Sequence, residues 1–536
     1  MKKAYRYILP LITSLLLCGC TAQENNTESS GENKNSVSDT EKTEAPIYDT
    51  GSDIAVISIE TKNQAEGVID FVTKPVAEHV AKSIASWTPN YKMPPAPYYE
   101  ECRVTVTDKD NTVTLDNVDA MVKVRGNWTT TYDKKPLRIK FTEKQNILGL
   151  NEGAQMKNWT LLAQYKDGSM LRDKAALEIA RELFADDGLY ASDAEFVEVE
   201  INGEYWGVYL LAEMQQINAD RVSITEAPKD YTGTDIGYFM EFDGYYTNES
   251  ELQSFHVDYA DNAPLTPFDG NGGSGKTITC LSEGRKDNKS DVGITIKSDI
   301  YSQEQHDFIE SYVNNVYRIM YAAAYEDKAY TFNEDYTAIT ETTDLSPQEA
   351  VEQVVNVESL ADAYILNEIA CDADIYWSSF FMDADFGEGG DKKLTFEAPW
   401  DFDSAMGNKN RCTDGTGFYA ANIVSDVNDA YKTVNPWLAV LMYEEWFTDI
   451  IRENWTQAYD SGAFERVFTM IEEDTTQYAD AFTRNYSKWN NLVDNSAFRG
   501  ELSRYSARCK THAEASQYLC EWLKSRIEFL NDYWHS

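Results

Sequence analysis

The sequence predicts an α+β fold in which strands dominate the first part of the chain and helices the last part. Two observations lead to this prediction. Runs of alternating apolar and polar residues recur between residues 102 and 141, a pattern typical of antiparallel strands. From residue 303 onward apolar residues recur at helical spacing instead, as in QEQHDFIESYVNNVYRIMYAAAYE, and residues 432–536 continue this pattern.

The composition indicates a folded but strongly acidic protein. Of 536 residues, 42% are hydrophobic and 13% are aromatic, which is enough for a sizeable core. The formal net charge is −43. Such a surface repels the phosphates of nucleic acids, which argues against a role in binding DNA or RNA. A nucleotide site in this chain would need its own local positive charge.

The N-terminus has the features of a bacterial lipoprotein signal. A basic stretch, MKKAYRY, precedes the short apolar stretch ILPLITSLLL, and LCGC follows. By its resemblance to the lipoprotein box, we expect residues 1–19 to be removed and Cys20 to carry the lipid. The polar residues 20–50 are expected to form a flexible acidic linker. The interpretation is a secreted protein whose lipid alone holds it on the outer face of the bacterial membrane.

The cysteines beyond Cys20 leave several pairings open. An even number outside the cytosol permits up to three disulfides among Cys102, Cys280, Cys371, Cys412, Cys509 and Cys520. The five histidines are scattered, so neither a histidine-based metal site nor a Ser-His-Asp triad is expected.

A basic sheet face is predicted near residue 140. In KKPLRIKF, Leu137 and Ile139 point to one side of the strand, so Arg138 and Lys140 point to the other. The preceding strand alternates in the same way and ends near Arg125. This face could bind phosphates, or it could be an ordinary solvated sheet surface.

Further elements follow along the chain. In NWTLLAQYKDGSMLRDKAALEIARELF, Asp167 or Ser169 is expected to cap a helix. EFVEVEINGEYWGVYLLAE predicts two strands across an Asn-Gly turn that end at Glu213, and GITIKSD predicts a strand carrying Lys297.

Residues 270–277, GNGGSGKT, match the letters of a P-loop. They lack the flanking strand and helix, so we expect a flexible loop there.

A cluster of carboxylates is predicted around a β-hairpin between Ser378 and Asn408. The second strand of that hairpin would end at Asp401 and Asp403, and a helical pattern upstream leads to Asp374. Mg²⁺ is typically held by one or two carboxylates together with substrate phosphates. Asp also favours turns, so the pattern alone fits a structural role as well.

Six stretches together resemble the CotH kinase family, which is distantly related to protein kinases. In family order they are RGN with KKPLRIKF, NWTLLAQYKDGSMLRDK, INGEYWGVYLLAE, GITIKSD, NEIACDAD and PWDFDSAMGN. The resemblance covers roughly residues 54–535. It implies an atypical protein kinase-like two-lobe fold with a sheet-rich N-lobe, a helical C-lobe and a C-terminal helical extension. The kinase-like domain would span residues 51–430, with residues 431–536 packed on it.

The same resemblance implies roles for individual residues, with ATP and Mg²⁺ or Mn²⁺ bound between the lobes. Lys140 would bind the phosphates and Asp374 would orient the acceptor hydroxyl. Asp401 would hold the metal with Asp403 as a second ligand or support. Ser379 stands where a kinase catalytic loop has a metal-binding asparagine, and a hydroxyl is a poorer substitute for an amide oxygen.

Other residues match family positions and are expected near the nucleotide with less defined roles, namely Arg125, Arg172, Glu213 and Lys297. Spacing leaves open whether Glu178, on the predicted helix, pairs with the phosphate-binding lysine.

The resemblance therefore implies a lipid-anchored protein kinase that transfers the γ-phosphate of ATP to Ser, Thr or Tyr of a surface or envelope protein. Because Ser379 replaces the asparagine, a catalytically weak or inactive kinase-like protein that serves in binding or envelope assembly is the alternative. A solute-binding lipoprotein fits the leader but not the order of the six stretches.

Cys20→Ala should abolish lipid attachment and release soluble or unprocessed protein, because the lipidated sulfur is removed. Membrane fractionation and mass spectrometry of the mature N-terminus measure this outcome. A native N-terminus without a diacylglyceryl cysteine would contradict the prediction.

Overall fold

The computed structural model describes residues 54–65, 67–76, 81–82, 85, 88–272, 276–280, 292–410, 415–425 and 432–536. The predicted signal, the linker, Cys20, Cys412 and the centre of the P-loop-like stretch lie outside these residues. From Thr50 to Ser536 the chain forms one compact unit. The fold is a mixture of sheets and helices, as the sequence predicts.

The first part of the chain forms a closed seven-stranded barrel with the order β1-β2-β3-β4-β5-β7-β6. Its strands are β1 Ala55–Thr61, β2 Glu100–Thr107, β3 Val113–Val124, β4 Leu137–Gln145, β5 Met156–Leu162, β6 Ala194–Ile201 and β7 Glu204–Glu213. Neighbours are antiparallel except β1 and β6, whose parallel pairing closes the barrel.

Side-chain alternation fills the barrel interior. Leu137, Ile139 and Phe141 of β4 are buried in the interior cluster, whereas Arg138 and Lys140 are only half-buried. The predicted direction of these side chains is therefore confirmed. A short helix, α1 Asp70–Thr73, adds Phe71 and Val72 to the same cluster.

Helix α2, Arg172–Phe184, leaves the barrel between β5 and β6. The predicted helix is confirmed, but its N-cap is Leu171, which makes no side-chain cap. Asp167 still supports this end, because its carboxylate accepts the backbone N–H of Arg172 at 2.9 Å and that of Ser169 at 2.9 Å.

A second, antiparallel sheet has the order β13-β8-β10-β9. Its strands are β8 Gly237–Asp243, β9 Ser254–Phe255, β10 Gly293–Ile296 and β13 Phe380–Asp385. The predicted strand at GITIKSD is confirmed, although it ends one residue before Lys297. Two small two-stranded sheets pair β11 Ala329–Phe332 with β12 Ile339–Thr342 and β14 Val424–Ser425 with β15 Lys432–Thr433.

The predicted hairpin between Ser378 and Asn408 is confirmed only in part, because its two arms meet at Asp383 and Thr395 without forming a regular ladder. Its first strand, β13, pairs along its whole length with β8. The returning segment makes only isolated bridges, Asp383 to Thr395 and Val355 to Leu394. The returning segment therefore lies between two neighbours, with Leu394 bonded to the Val355 side and Thr395 bonded to Asp383 of β13.

The remaining α-helices of the described residues pack around the second sheet, on α2 and, for Ala479–Trp489, on β7 of the barrel. They are α3 Tyr259–Asn262, α4 Gln303–Glu326, α5 Pro347–Glu352, α6 Val357–Ala370, α7 Pro436–Ala439, α8 Glu445–Asp460, α9 Ala463–Gln477, α10 Ala479–Trp489 and α11 His512–Trp534. The helices predicted at residues 303–326 and 357–370 are confirmed. One large hydrophobic cluster joins α2, the second sheet, α6 and α11.

Two expectations concern residues that the structure describes only in part. No disulfide links any two of Cys102, Cys280, Cys371, Cys509 and Cys520. Within the described ranges, no helix is both long and apolar enough to cross a membrane.

A buried ion pair fixes α11 to the core. Arg526 and Glu368 are both fully buried, and the guanidinium Nη2 donates to the Glu368 carboxylate. Arg526 Nη1 also donates to the carbonyl oxygens of Gly415, at 3.1 Å, and Gly417, at 2.6 Å. The Glu368 carboxylate accepts the backbone N–H of Tyr419 at 2.8 Å. The pair therefore ties α6, α11 and the segment after residue 415 together.

Arg526→Met should destabilise the protein by about 3–5 kcal/mol, because it leaves Glu368 as a buried charge without its partner. Urea unfolding measures the free energy of unfolding. The control is Lys524→Met on the same helix, whose ion pair with Glu472 is exposed and should contribute less than about 1 kcal/mol. Equal losses in the two variants would contradict the prediction.

Candidate active site

A charged cleft of about 930 Å³ lies between the barrel and the second sheet. The barrel side contributes residues at the end of β3, the start of β4 and the segment after β5. The opposite side comes from β8, the segment after β10, the segment before β13 with the start of that strand, and residues 400–409. Cationic side chains in its lining are Arg125, Lys134, Arg138, Lys166, Lys297 and Lys409.

Four aspartates face one another in this cleft: Asp173, Asp374, Asp401 and Asp403. Three of these are the aspartates predicted from the sequence, so the fold brings the expected set together. Asp401 has a left-handed backbone with φ of 72°, which is uncommon for a residue with a side chain. Such conformations are sustained by surrounding structure and cluster at functional sites.

Burial and neighbouring carboxylates raise the pKa of Asp401 and of Asp173. The Asp401 side chain is exposed to the cleft, whose walls surround it. Desolvation is the largest cause that raises the pKa of Asp401 to about 7, and the negative charges of Asp403 and Asp374 add to the same shift. Burial and the charges of Asp403 and Asp401 raise the pKa of Asp173 to about 7. Lys166 and Arg125 oppose the shift at Asp401 but do not cancel it. The lining of the cleft also holds ten carboxyl side chains and only six cationic ones, so acidic groups are in excess there.

Direct ion pairs restrain two of the aspartates. The ammonium of Lys166 lies 2.8 Å from Asp403 Oδ1 and donates to Ser404 Oγ at 2.6 Å. Lys409 Nζ lies 3.1 Å from Asp374 Oδ1. Burial lowers the pKa of Arg125, whose guanidinium stacks 5.3 Å from the Trp400 ring beside the carboxylates.

Glu241 of β8 holds Ser379 next to Asp401. Its carboxylate accepts the backbone N–H of Ser379 at 2.9 Å, and Ser379 has a left-handed φ of 63°. The Ser379 hydroxyl lies 3.5 Å from Asp401 Oδ2. Lys297 Nζ lies 2.5 Å from the other oxygen of the same Glu241 carboxylate, so this predicted residue supports the turn through Glu241.

The donor set fits a hard divalent cation. Carboxylate oxygens and a hydroxyl converge where negative charge is in excess, and Mg²⁺ needs only one or two protein carboxylates when substrate phosphates complete its shell. The three predicted aspartates do not form a preassembled three-ligand cage. Among the described residues, only His306, Asp307 and Glu310 have ligand atoms that all lie within 4.8 Å of one another, and they lie on α4 outside the cleft.

The structure does not bring three of the predicted residues to the cleft. Lys140 lies two positions farther along β4 than Arg138, about 7 Å away along the strand, and is absent from the lining. Arg172 is buried against Asp167 and donates from Nε to the Met406 carbonyl oxygen at 3.3 Å. These contacts make Arg172 a structural residue.

Glu213 is also buried outside the lining, 3.0 Å from the Arg221 guanidinium. Its carboxylate accepts from Asn151 Nδ2 at 3.0 Å, so its hydrogen bonds hold the end of β7 in place. Glu178 lies 3.6 Å from Arg181 on the same face of α2 rather than near a cleft lysine.

Sequence reasoning gave no site role to several charged residues of the cleft, among them Lys166, Asp173, Glu241 and Lys409. The alternation of β4 had put Arg138 beside Lys140, but the sequence did not indicate which of them stands at the cleft end. Asp173 accepts the backbone N–H of Phe402 at 2.6 Å, a contact across more than 200 positions that no local pattern signals.

Together the fold and the site define a mixed α and β protein with a charged, carboxylate-lined cleft between a barrel and a helix-covered sheet. The sequence profile described as CotH kinase protein matches residues 122–530, and the chain belongs to this family. Inner spore coat protein H of Bacillus subtilis (strain 168) is 33% identical over 101 residues. That match covers 19% of this chain and 25% of the relative.

Metal affinity should rise with pH through about 7, the pKa of Asp401, because a metal must displace the proton of a protonated carboxyl. Between pH 6 and pH 8 the apparent affinity for Mn²⁺ should increase on the order of tenfold. Calorimetric titration with Mn²⁺ at both pH values measures this change.

Asp401→Asn should remove the pH dependence together with most of the affinity, whereas Asp391→Asn, at an exposed position, should change neither. A pH-independent affinity in the parent protein would contradict the assignment of Asp401 as a ligand.

Proposed function

We propose that the protein is a metal-dependent, CotH-like protein kinase that transfers the γ-phosphate of ATP to a Ser, Thr or Tyr hydroxyl. The observation that supports this proposal best is the cleft in which Asp374, Asp401 and Asp403 face a set of cations. In this proposal the barrel is the N-lobe and the second sheet with its helices is the C-lobe of a kinase-like fold. The nucleotide then lies between them.

Asp401 and Asp403 would hold Mg²⁺ or Mn²⁺, with the Ser379 hydroxyl as a further ligand. When bound, the metal supplies neutralisation of phosphate charge. The remaining charge would be met by Arg125, Arg138 and Lys166, which line the barrel side. Lys166 takes the role expected of Lys140, because it stands in the cleft and Lys140 does not.

Asp374 would position the acceptor. Its carboxylate lines the cleft and is partly exposed, so a hydroxyl can reach it. Asp374 accepts the hydroxyl proton while the hydroxyl oxygen forms a bond to the γ-phosphorus and the bond from that phosphorus to the β-γ bridging oxygen breaks. ADP leaves with the electron pair of the broken bond. Positioning and charge neutralisation supply most of the catalysis in such transfers.

An inactive kinase-like protein that serves in binding or envelope assembly is the second candidate. Ser379 favours it, because the hydroxyl lies 3.5 Å from Asp401 Oδ2 and offers a metal a shorter, weaker ligand than an asparagine amide. In both candidates the lipid on Cys20 holds the protein at the outer membrane face. Its partner is then a protein of the cell surface or envelope, which agrees with the coat location in the name of the relative.

Asp401→Asn and Asp374→Asn should affect ATP binding and phosphate transfer differently. Asp401→Asn should abolish metal-dependent ATP binding, whereas Asp374→Asn should leave the dissociation constant within about twofold and lower transfer by at least 10²-fold. Calorimetry measures binding, and mass spectrometry measures phosphate incorporation into the protein itself and into envelope proteins.

Ser379→Asn separates the two candidates, with Asp391→Asn as the control. Greater transfer in Ser379→Asn than in the parent supports a kinase limited by its serine. Metal-dependent binding without transfer in either protein supports the binding protein. If neither protein binds ATP, the kinase fails and the chain has kept the fold without the nucleotide site.

A further inference from the structure

Lys409 lies against the aspartate that the proposed function assigns to the acceptor. Its Nζ is 3.1 Å from Asp374 Oδ1 and 3.4 Å from Asp374 Oδ2, so the ammonium is within hydrogen-bonding distance of both oxygens. The two side chains retain 25% and 33% of their exposure, respectively, and both line the cleft. They are therefore accessible to a ligand in the cleft and more exposed than the pair of Lys166 and Asp403, which also lines it.

The backbone before and after Lys409 is fixed by distant parts of the chain. The Gly407 carbonyl oxygen accepts from the Tyr518 hydroxyl at 2.9 Å. Asn408 Nδ2 donates to the Asp403 carbonyl oxygen at 2.7 Å, and its own carbonyl oxygen accepts the Ser503 N–H at 2.6 Å. These bonds hold Lys409 at a set distance from the proposed metal ligands.

Gly407 makes this arrangement possible. Its φ is 75°, and a Cβ there would lie 2.6 Å from the Tyr518 hydroxyl and 2.7 Å from the Trp522 ring. A side chain at this position would push the segment off α11 and displace the following lysine. The chain therefore brings a cation to Asp374 through a close backbone approach that only glycine permits.

We propose that Lys409 is a catalytic residue that contacts the transferred phosphoryl group while it holds Asp374 in place. This inference rests on the proposed function. An ammonium has three N–H donors, so it can bond a carboxylate and a phosphoryl oxygen together. That geometry brings the acceptor hydroxyl, held by Asp374, next to the phosphorus that it attacks.

The charge argument favours a role in transfer over one in folding. As the hydroxyl oxygen bonds to phosphorus and the bridging bond breaks, its proton passes to Asp374 and ADP leaves with the electron pair. Lys409 keeps its proton throughout and neutralises charge on the phosphoryl oxygens. A partly exposed ion pair contributes little to stability, so removing Lys409 should leave the fold intact.

The test compares Lys409→Met and Lys409→Arg with the parent in the full-length protein. Lys409→Met should lower ATP turnover about 10²-fold, measured as phosphate release and phosphate incorporation, and change the dissociation constant of Mg²⁺-ATP by less than about threefold. It should weaken ADP-Mg²⁺-aluminium fluoride, which mimics the transferring group, at least tenfold more than Mg²⁺-ATP. Lys409→Arg should recover part of both losses.

Lys328→Met is the matched control, because Lys328 forms an exposed ion pair with Glu341 at 3.0 Å and is not part of the cleft lining. It should leave turnover and both affinities unchanged. Equal weakening of the two ligands by Lys409→Met, or turnover unaffected by it, would overturn the role of Lys409 while leaving the proposed kinase intact. A parent protein that neither binds Mg²⁺-ATP nor turns it over would overturn both.

Discussion

Mutual repulsion among carboxylates in one cleft is the constraint on which the rest of the site depends. Asp173, Asp374, Asp401 and Asp403 line the same space, and the pKa of two of them is raised to about 7. Ionised carboxylates can lie this close together only if nearby cations balance their negative charge. The chain supplies part of that balance through Lys166 and Lys409, and the excess that remains is what a divalent metal would neutralise.

Residues from the barrel side, the second sheet and the C-terminal helices all help to position the charged groups of the cleft. Lys166, in the segment after β5, pairs with Asp403, and Asp173, at the start of α2, accepts the backbone N–H of Phe402. The second sheet uses Glu241 to hold the Ser379 turn. Helix α11 anchors the segment that carries Lys409 through Tyr518 and Gly407. The C-terminal helices therefore help to position residues of the cleft and also pack in the hydrophobic core.

Periodicity in the sequence predicted most elements because each buries a face that its own residues define. The alternation in β4 and the helical repeat of residues 303–326 are local patterns of this kind. The hairpin after Ser378 was predicted only in part, because the regular pairing of its first strand with β8 is a long-range contact that local sequence does not reveal. Lys140 and Arg138 share a strand face, and only closure of the barrel decides which one reaches the cleft. Asp173 and Glu241 contact residues that are far away in the sequence, so no local pattern predicts their place in the cleft.

The most direct test of the central claim is the stability that ATP confers with and without a divalent metal. Urea unfolding of the mature protein with Mg²⁺-ATP at about 100 times its dissociation constant should raise the free energy of unfolding by about 2.7 kcal/mol. With the same ATP and a chelator in place of Mg²⁺, most of that increase should disappear. An increase of the same size in chelator, or none with Mg²⁺ or Mn²⁺, would contradict a metal-dependent nucleotide site in this cleft.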